Sequence, residues 1–366
     1  MKKIIYTAIC IFLIGNVTGN VTGNEVVLHT QQEIDYYGQA GYTWFPASVR
    51  ITNYAGQDSN TMITDLSPLL VFDSIPGSLI IENTILTNLH GLENLKVGYT
   101  IDVYENAELV DASALSLTGK FTGLEFRYNP KLEVLPSVSN FVQLGDLIIE
   151  NNAQLKHVDI VLNGSFNGIQ IAHNPSLQTI QIKDNSLNLM KSNIENNDIL
   201  THIFIDPKSD SILFSHIQDN PLLETVEGFG NVHQIASARI KNNPQLNKLC
   251  HLQQVLNKDG VGWLNLSGNG TYANSEADIL ATDCSDFNTS VTEISNADLG
   301  IYPNPAQKEV FVKGITQPTL YVIYDMSGKQ ITQGTVTALG RIGLEQVVSG
   351  MYILKVGNQH SKLLVE

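Results

Sequence analysis

Carboxylates, histidines and cysteines are the side chains here that could carry chemistry, and their spacing decides which chemistry is open to them. The 366 residues include 36 Asp and Glu, nine His and three Cys. No H-E-x-x-H, G-x-S-x-G, phosphate-binding glycine loop or D-x-D-x-D-G calcium loop occurs among them. His157 and His202 share one slot of a repeat but stand two repeats apart, a poor arrangement for a common metal. The expectation is therefore no catalytic residue, no metal and no cofactor. One enzymatic option remains, since parallel coils can set two acids on neighbouring strands for glycoside or uronate chemistry. Glu125 with Glu150 is the pair considered, although no flanking signature singles it out.

What must position these side chains is a repeat. Asparagines fall at 60, 83, 106, 129, 152, 174, 197, 220 and 243, spaced by 22 or 23 residues. Three residues after each comes an aliphatic side chain, from Ile63 and Leu86 through Leu246. Six residues after each comes another, with only Ala112 small. Upstream, alternating pairs such as Ile101 and Val103, Leu124 and Phe126, Leu147 and Ile149, Ile169 and Ile171, and Ala238 and Ile240 mark strands. One such unit cannot bury its apolar side alone, so the coils must stack. The expected fold is mostly β: a right-handed parallel β-solenoid of 22–23-residue leucine-rich-type coils, followed by a small antiparallel β-sandwich. The asparagine is read as structural, its amide satisfying backbone groups at each bend and bonding along the stack.

Period two sends the residues between and after each apolar pair away from the core. These are Asp102, Tyr104, Glu125, Arg127, Glu150, Gln170, Asn193, Glu195, His216, Gln218, Arg239 and Lys241. Acidic residues predominate at one end and basic ones at the other. This row is the candidate ligand face; a merely solvated sheet surface accounts for it equally well.

Both ends of a stack need covers. Residues 24–48 are expected to form an N-terminal cap. There Thr30 and Glu33 make a capping box for a helix over 31–39, ahead of a first strand at 49–51. The repeats are expected to run over 49–249, with a longer loop at 54–60. Regularity decays after Asn243: the next Asn is 269, and Tyr272 stands where an aliphatic is expected. Residues 250–284 are read as a second cap with a helix near 275–280. Cys250 and Cys284, the pair left once a leader is removed, are expected to form one disulfide. It would close a loop of about 33 residues, worth roughly 3–4 kcal/mol.

Lys2 and Lys3 followed by the apolar run Ile4–Ile14 and a small, polar stretch read as a signal peptide over 1–23. Cys10, preceded by the bulky Ile9, does not read as a lipoprotein cysteine. No later run approaches the length of a membrane span. A formal charge of -15 argues against nucleic acid, which requires a clustered positive footprint that the sequence does not display. The sequons at Asn163 and Asn265 are taken as chance.

The segments I-E-N-T-I-L-T-N-L-H-G-L-E-N-L (81–95), I-E-N-N-A-Q-L (149–155) and I-K-N-N-P-Q-L (240–246) resemble the receptor L-domain type of leucine-rich repeat. The opening L-H-T-Q-Q-E-I-D-Y-Y-G-Q-A-G-Y (28–42) is similar to secreted repeat proteins of the Bacteroidetes. The resemblance covers about 25–284 and implies a right-handed solenoid used for binding or adhesion. It carries over no ligand residue.

After a polar linker over 285–298 a second module begins, 299–366. Its Y-P-N-P motif (Tyr302, Pro303, Asn304, Pro305), V-F-V (310–312), L-Y-V-I-Y-D (320–325), S-G-M-Y-I-L-K-V (349–356) and K-L-L-V-E (362–366) read as short antiparallel strands. Order and spacing resemble the type A sorting domain of type IX secretion. That implies the secretion machinery as partner, passage through a Gram-negative periplasm, and release or attachment at the outer surface. The function expected from all this is binding or adhesion to a protein or glycan. A polysaccharide-active enzyme and a structural surface-layer component are the alternatives.

Overall fold

The structure, a computed structural model, describes residues 20–22, 24–115, 119–136, 141–162, 165–184, 191–229, 231–284, 301–312, 319–325, 329–337, 340–344, 347–356 and 359–365. The leader expected over 1–23 lies outside these residues except for 20–22; the expected linker, 285–298, lies outside them entirely. Two compact units divide at Thr282 and Asp283.

The first unit is a parallel β-solenoid of about nine turns. Its principal sheet has twelve strands, in chain order from Asn20–Thr22 to Val261–Ser267. All pair in parallel except the first, a hairpin partner of Glu25–Leu28. A second sheet of four parallel strands, His157–Leu162, Thr179–Asp184, His202–Pro207 and Thr225–Gly228, forms on the return legs of the middle coils. The alternating pairs stack in register, Ile101 on Leu124 on Leu147 on Ile169, and Val103 on Phe126 on Ile149 on Ile171. All are buried, as are the aliphatics three and six residues after each asparagine, apart from the partly buried Leu135. In three successive coils the first member of the pair shrinks to Ser192, Ser215 and Ala238. Ile212 and Ile235, from the upstream ends of two of those strands, help to fill the core there.

The bend after each principal strand is a hydrogen-bonded ladder. Oδ1 of Asn129 accepts from the backbone N–H of Asn106 (3.1 Å) and from its Nδ2 (3.1 Å). Nδ2 of Asn129 donates to the carbonyls of Val103 and Arg127 (2.9 and 3.1 Å). The same set recurs at Asn152, Asn174, Asn197, Asn220 and Asn243, all fully buried. Two members of the sequence period do not belong to it. Asn83 is exposed with φ 51°, and Thr84 takes the ladder slot, its Oγ1 donating to Asn106 Oδ1 (2.7 Å). Asn60 is exposed in a turn at Ser59–Thr61 and bonds to Asp58. The strand register explains the slip: Glu82 pairs with Tyr104, which aligns Thr84, not Asn83, with Asn106.

At the far end the ladder continues where the sequence looks irregular. Asn269 accepts from the Asn243 N–H (3.2 Å), and Asn274 Oδ1 closes the stack by accepting from the Asn269 N–H (2.8 Å). The longer interval before Asn269 accommodates helix α2, Cys250–Leu256. Tyr272 is exposed, and Ala273 supplies the inward side chain. Cys250 and Cys284 are both disulfide-bonded.

The residue before each ladder position is left-handed, φ 51–58° at Asn83, Glu105, Tyr128, Asn151, His173, Asn196, Asp219 and Asn242, and 68° at Gly268. Asn, Asp and Gly tolerate this geometry best. Its gain is continuity, because from Glu105 to Asn242 each donates its N–H to the next coil, as Glu105 does to the Arg127 carbonyl (3.1 Å).

The solenoid begins one coil earlier than the boundary at 49 expected from sequence. Glu25–Leu28 already pairs in parallel with Ser48–Thr52, so helix α1, Gln31–Gln39, is the return leg of a first coil. Thr30 and Glu33 form its capping box. Helix α3, Glu276–Ala281, is capped by Ser275.

The second unit has two antiparallel sheets. One contains Ile301–Tyr302, Glu309–Val312 and Arg341–Gly343; the other contains Gln330–Val336, Thr319–Asp325, Gly350–Val356 and Gln359–Val365. Val310, Val312 and Ile342 of the first share a core with Ile323, Leu354 and Leu363 of the second.

Candidate ligand-binding face

The outer side of the principal sheet carries three rows, because every second residue of each strand leaves the core. The middle row runs Arg50, Ile80, Asp102, Glu125, Ile148, Gln170, Asn193, His216, Arg239, Asn265. The following row runs Glu82, Tyr104, Arg127, Glu150, Ala172, Glu195, Gln218, Lys241. All twelve residues singled out from sequence therefore lie in two in-register rows. A third row, upstream of the first apolar position, adds Asp146, Lys191, Phe214, Ser237 and Trp263. Sequence reasoning missed this row, although the same period of two extended one step upstream reveals it.

Ile148 and the buried Ala172 interrupt the two polar rows at the middle of the stack and divide the face into two segments. In the N-terminal segment the two arginines are paired with carboxylates. Arg50 donates to Glu82 (2.6 Å) and Glu25 (3.3 Å), and Arg127 contacts Glu125. Lys191, at the border, reaches Asp146 (3.1 Å). The bonds from Glu82 and Glu25 hold the Arg50 guanidinium above its usual pKa against the opposing effect of burial.

Glu125 and Glu150 stand on neighbouring strands, as the sequence option has them, but diagonally and not opposite one another. Glu125 lies opposite Ile148, and Glu150 lies opposite Arg127 and accepts from Gln170. The acid beside Glu125 in its own row is Asp102. Burial raises both carboxyls above the ordinary range; for Asp102 this outweighs Arg127 and Arg50, and for Glu125 the Asp102 charge adds to it. Asp102 Oδ1 is shielded from solvent with no hydrogen-bond partner, and Glu125 Oε2 has only its charge contact with Arg127.

The C-terminal segment differs. Gln218 and Asn193 both donate to Glu195 (2.6 and 3.0 Å). Arg239 lies over the Trp263 ring, its guanidinium carbon 5.6 Å from the ring centroid, within cation–π range. Burial, then the neighbouring Arg239 charge, lowers the His216 pKa, with Glu195 opposing. Phe214 meets His216 edge-on at 5.9 Å.

On the return legs, His157 and His202 occupy one row with Thr179 between them. Among the described residues no group of three or more His, Cys, Asp or Glu is arranged to hold a metal ion. The sequon at Asn163 lies outside the described residues, and Asn265 stands in the middle row.

In the second unit the Y-P-N-P motif ties the start of the module to its last strand. Asn304 donates to the Lys362 carbonyl (2.7 Å) and accepts from the Leu364 N–H (2.8 Å). The Tyr302 ring stacks on Phe311 at 5.6 Å, and the peptide bonds before Pro303 and Pro305 are cis.

Residues 300–366 match the family of secretion system C-terminal sorting domains. No curated protein and no solved structure matches the chain. Among the described residues no helix is long and apolar enough to cross a membrane.

Proposed function

We propose that this is a binding protein of the cell surface or surroundings, not an enzyme, whose solenoid presents its outer sheet face to a protein or glycan partner. The premise is the tail. A C-terminal sorting domain marks export by type IX secretion to the cell surface or extracellular space, and it implies contact with that machinery. A leader peptide over 1–23 and leucine-rich, receptor L-domain-like coils complete the reading. The observation that carries it is the register of the face: three rows of side chains held by a parallel sheet whose underside is a packed core and whose bends are saturated with hydrogen bonds. A surface ordered before binding loses little entropy when a partner docks, so many modest contacts can sum to useful affinity.

The full chain probed against glycan and protein arrays tests the proposal. A retained ligand supports it, and silence across both arrays overturns it. One observation favours a second reading, a polysaccharide-active enzyme: the neighbouring acids Asp102 and Glu125, both with raised carboxyl pKa values. Depolymerisation of a polysaccharide, abolished by Asp102→Asn or Glu125→Gln, would establish that reading instead.

A further inference from the structure

The last three strands of the principal sheet differ from the rest of the face. On Ser211–Gln218, Gln234–Lys241 and Val261–Ser267 the upstream row reads Phe214, Ser237, Trp263. Phe214 and Trp263 are each 46% exposed, and the small Ser237 lies between them. Two strand spacings separate the aromatic residues, about 9–10 Å, on the scale of a disaccharide unit in an extended glycan. Beside them stand Arg239 and Lys241, which form no salt bridge among the described residues. Arg50, Arg127 and Lys191 on the same sheet are all paired to carboxylates. Arg239 Nε is shielded from solvent and has no hydrogen-bond partner. In a chain of net charge -15, two unpaired cations beside two exposed aromatic rings form a local reversal of sign.

We infer that this end of the face is a docking site for an anionic polysaccharide, with Phe214 and Trp263 packing against sugar rings and Arg239 with Lys241 binding carboxylate or sulfate groups. The inference rests on the binding reading above and names its ligand class. Charge complementarity selects the anion, since on this sheet Arg50, Arg127 and Lys191 are neutralised by carboxylates while Arg239 and Lys241 are not. The aromatic pair selects a glycan over an acidic protein. Ring faces at fixed separation on an unyielding sheet match a polymer of repeating rings with apolar C–H faces. Arg239 contributes twice, as the guanidinium that can grip an oxyanion in bidentate fashion and as the group that steadies the Trp263 ring.

Titration of the full chain with oligogalacturonate, a chondroitin sulfate oligomer and neutral cellohexaose tests this by calorimetry. At least one anionic probe is expected to bind about tenfold or more tighter than cellohexaose, and to weaken as salt is added. Trp263→Ala and Arg239→Gln should each weaken it about tenfold. Phe214→Ser, at an exposed position, is the companion variant should either of those lose its thermal transition. Lys183→Gln, at an exposed cation on the return-leg strand Thr179–Asp184, should leave the affinity unchanged.

Equal affinity for neutral and anionic probes, or anionic binding indifferent to all three C-terminal variants, overturns the inference while leaving the binding reading intact. So does an array in which only acidic proteins are retained through Arg239 and Lys241. Failure of the broader reading looks different, with neither array retaining any ligand.

Discussion

The bend of each coil and the outer face of the same coil are built by the same strands, yet one is uniform and the other changes at every step. At the bend, six successive asparagines from 129 to 243 repeat one hydrogen-bond set, with backbone N–H to Oδ1 distances of 3.0–3.2 Å along the stack. On the face the middle row passes from Asp102 and Glu125 through Ile148 to Gln170, Asn193, His216 and Arg239. The contrast has a physical cause. A buried bend leaves backbone groups that must be satisfied identically in every turn, whereas a solvated face imposes no such requirement. Uniformity therefore marks what holds the coil together, and variation marks where recognition can reside.

The strongest test of that contrast removes one rung. Asn174→Ala deprives the Asn152 N–H of its acceptor and the Ile149 carbonyl of its side-chain donor, whereas the Ala172 carbonyl keeps the Asn151 N–H (3.2 Å). With each orphaned buried group costing about 1–3 kcal/mol, a loss of roughly 3–5 kcal/mol is expected in urea denaturation. Asn83→Ala, at a member of the sequence period outside the ladder, should cost only about 1 kcal/mol, from the left-handed backbone. Equal losses at the two positions would mean that the buried ladder contributes nothing beyond the turn itself.

One buried polar side chain lies outside the ladder and lacks its hydrogen bonds. His251 in α2 stacks on Phe229 at 4.9 Å, and its Nδ1 has no hydrogen-bond partner. Burial depresses its pKa to about 4, against the opposing effect of a backbone bond at Val226. The unfolded chain then binds a proton that the folded one refuses between about pH 6.5 and 4. Stability from this site is complete above pH 6.5 and falls by about 3 kcal/mol as pH drops to about 4. Denaturation of wild type and His251→Phe across that window should show the dependence in the wild type and its loss in the variant.

The smallest effect belongs to the face. Asp102 and Glu125 have raised carboxyl pKa values, so their ionised forms weaken the fold, and stability declines as pH rises through the folded values. Asp102→Asn should stabilise the chain at pH 7 by less than about 1 kcal/mol, discounted for solvent screening. NMR titration should show the Glu125 carboxyl returning toward its ordinary range. A destabilised variant would mean that Asp102 is held by contacts as specific as those of the bend.

Much of this was legible from residue spacing. The 23-residue period, the buried pairs from Ile101–Val103 onward and the capping box at Thr30 and Glu33 follow from local rules with short reach. Other features were not. The slip from Asn83 to Thr84 depends on which residue faces Asn106 across the sheet, and Asn83 and Asn106 keep the repeat interval regardless. Asn274 as the final rung was hidden because it is not a repeat position; only the chain's return to Asn269 brings it there. The left-handed position had a signal in the N-N pairs 151–152, 196–197 and 242–243, masked by Glu105 and Tyr128.

The face divides the same way. Alternation alone placed twelve side chains outward, because period two is a property of the single strand. Which acid neighbours which, that Asp102 and not Glu150 lies beside Glu125, and that Arg239 settles over Trp263 without a carboxylate, are matters of register between strands. One strand cannot specify register, since it arises from the stacking of whole coils around a shared core.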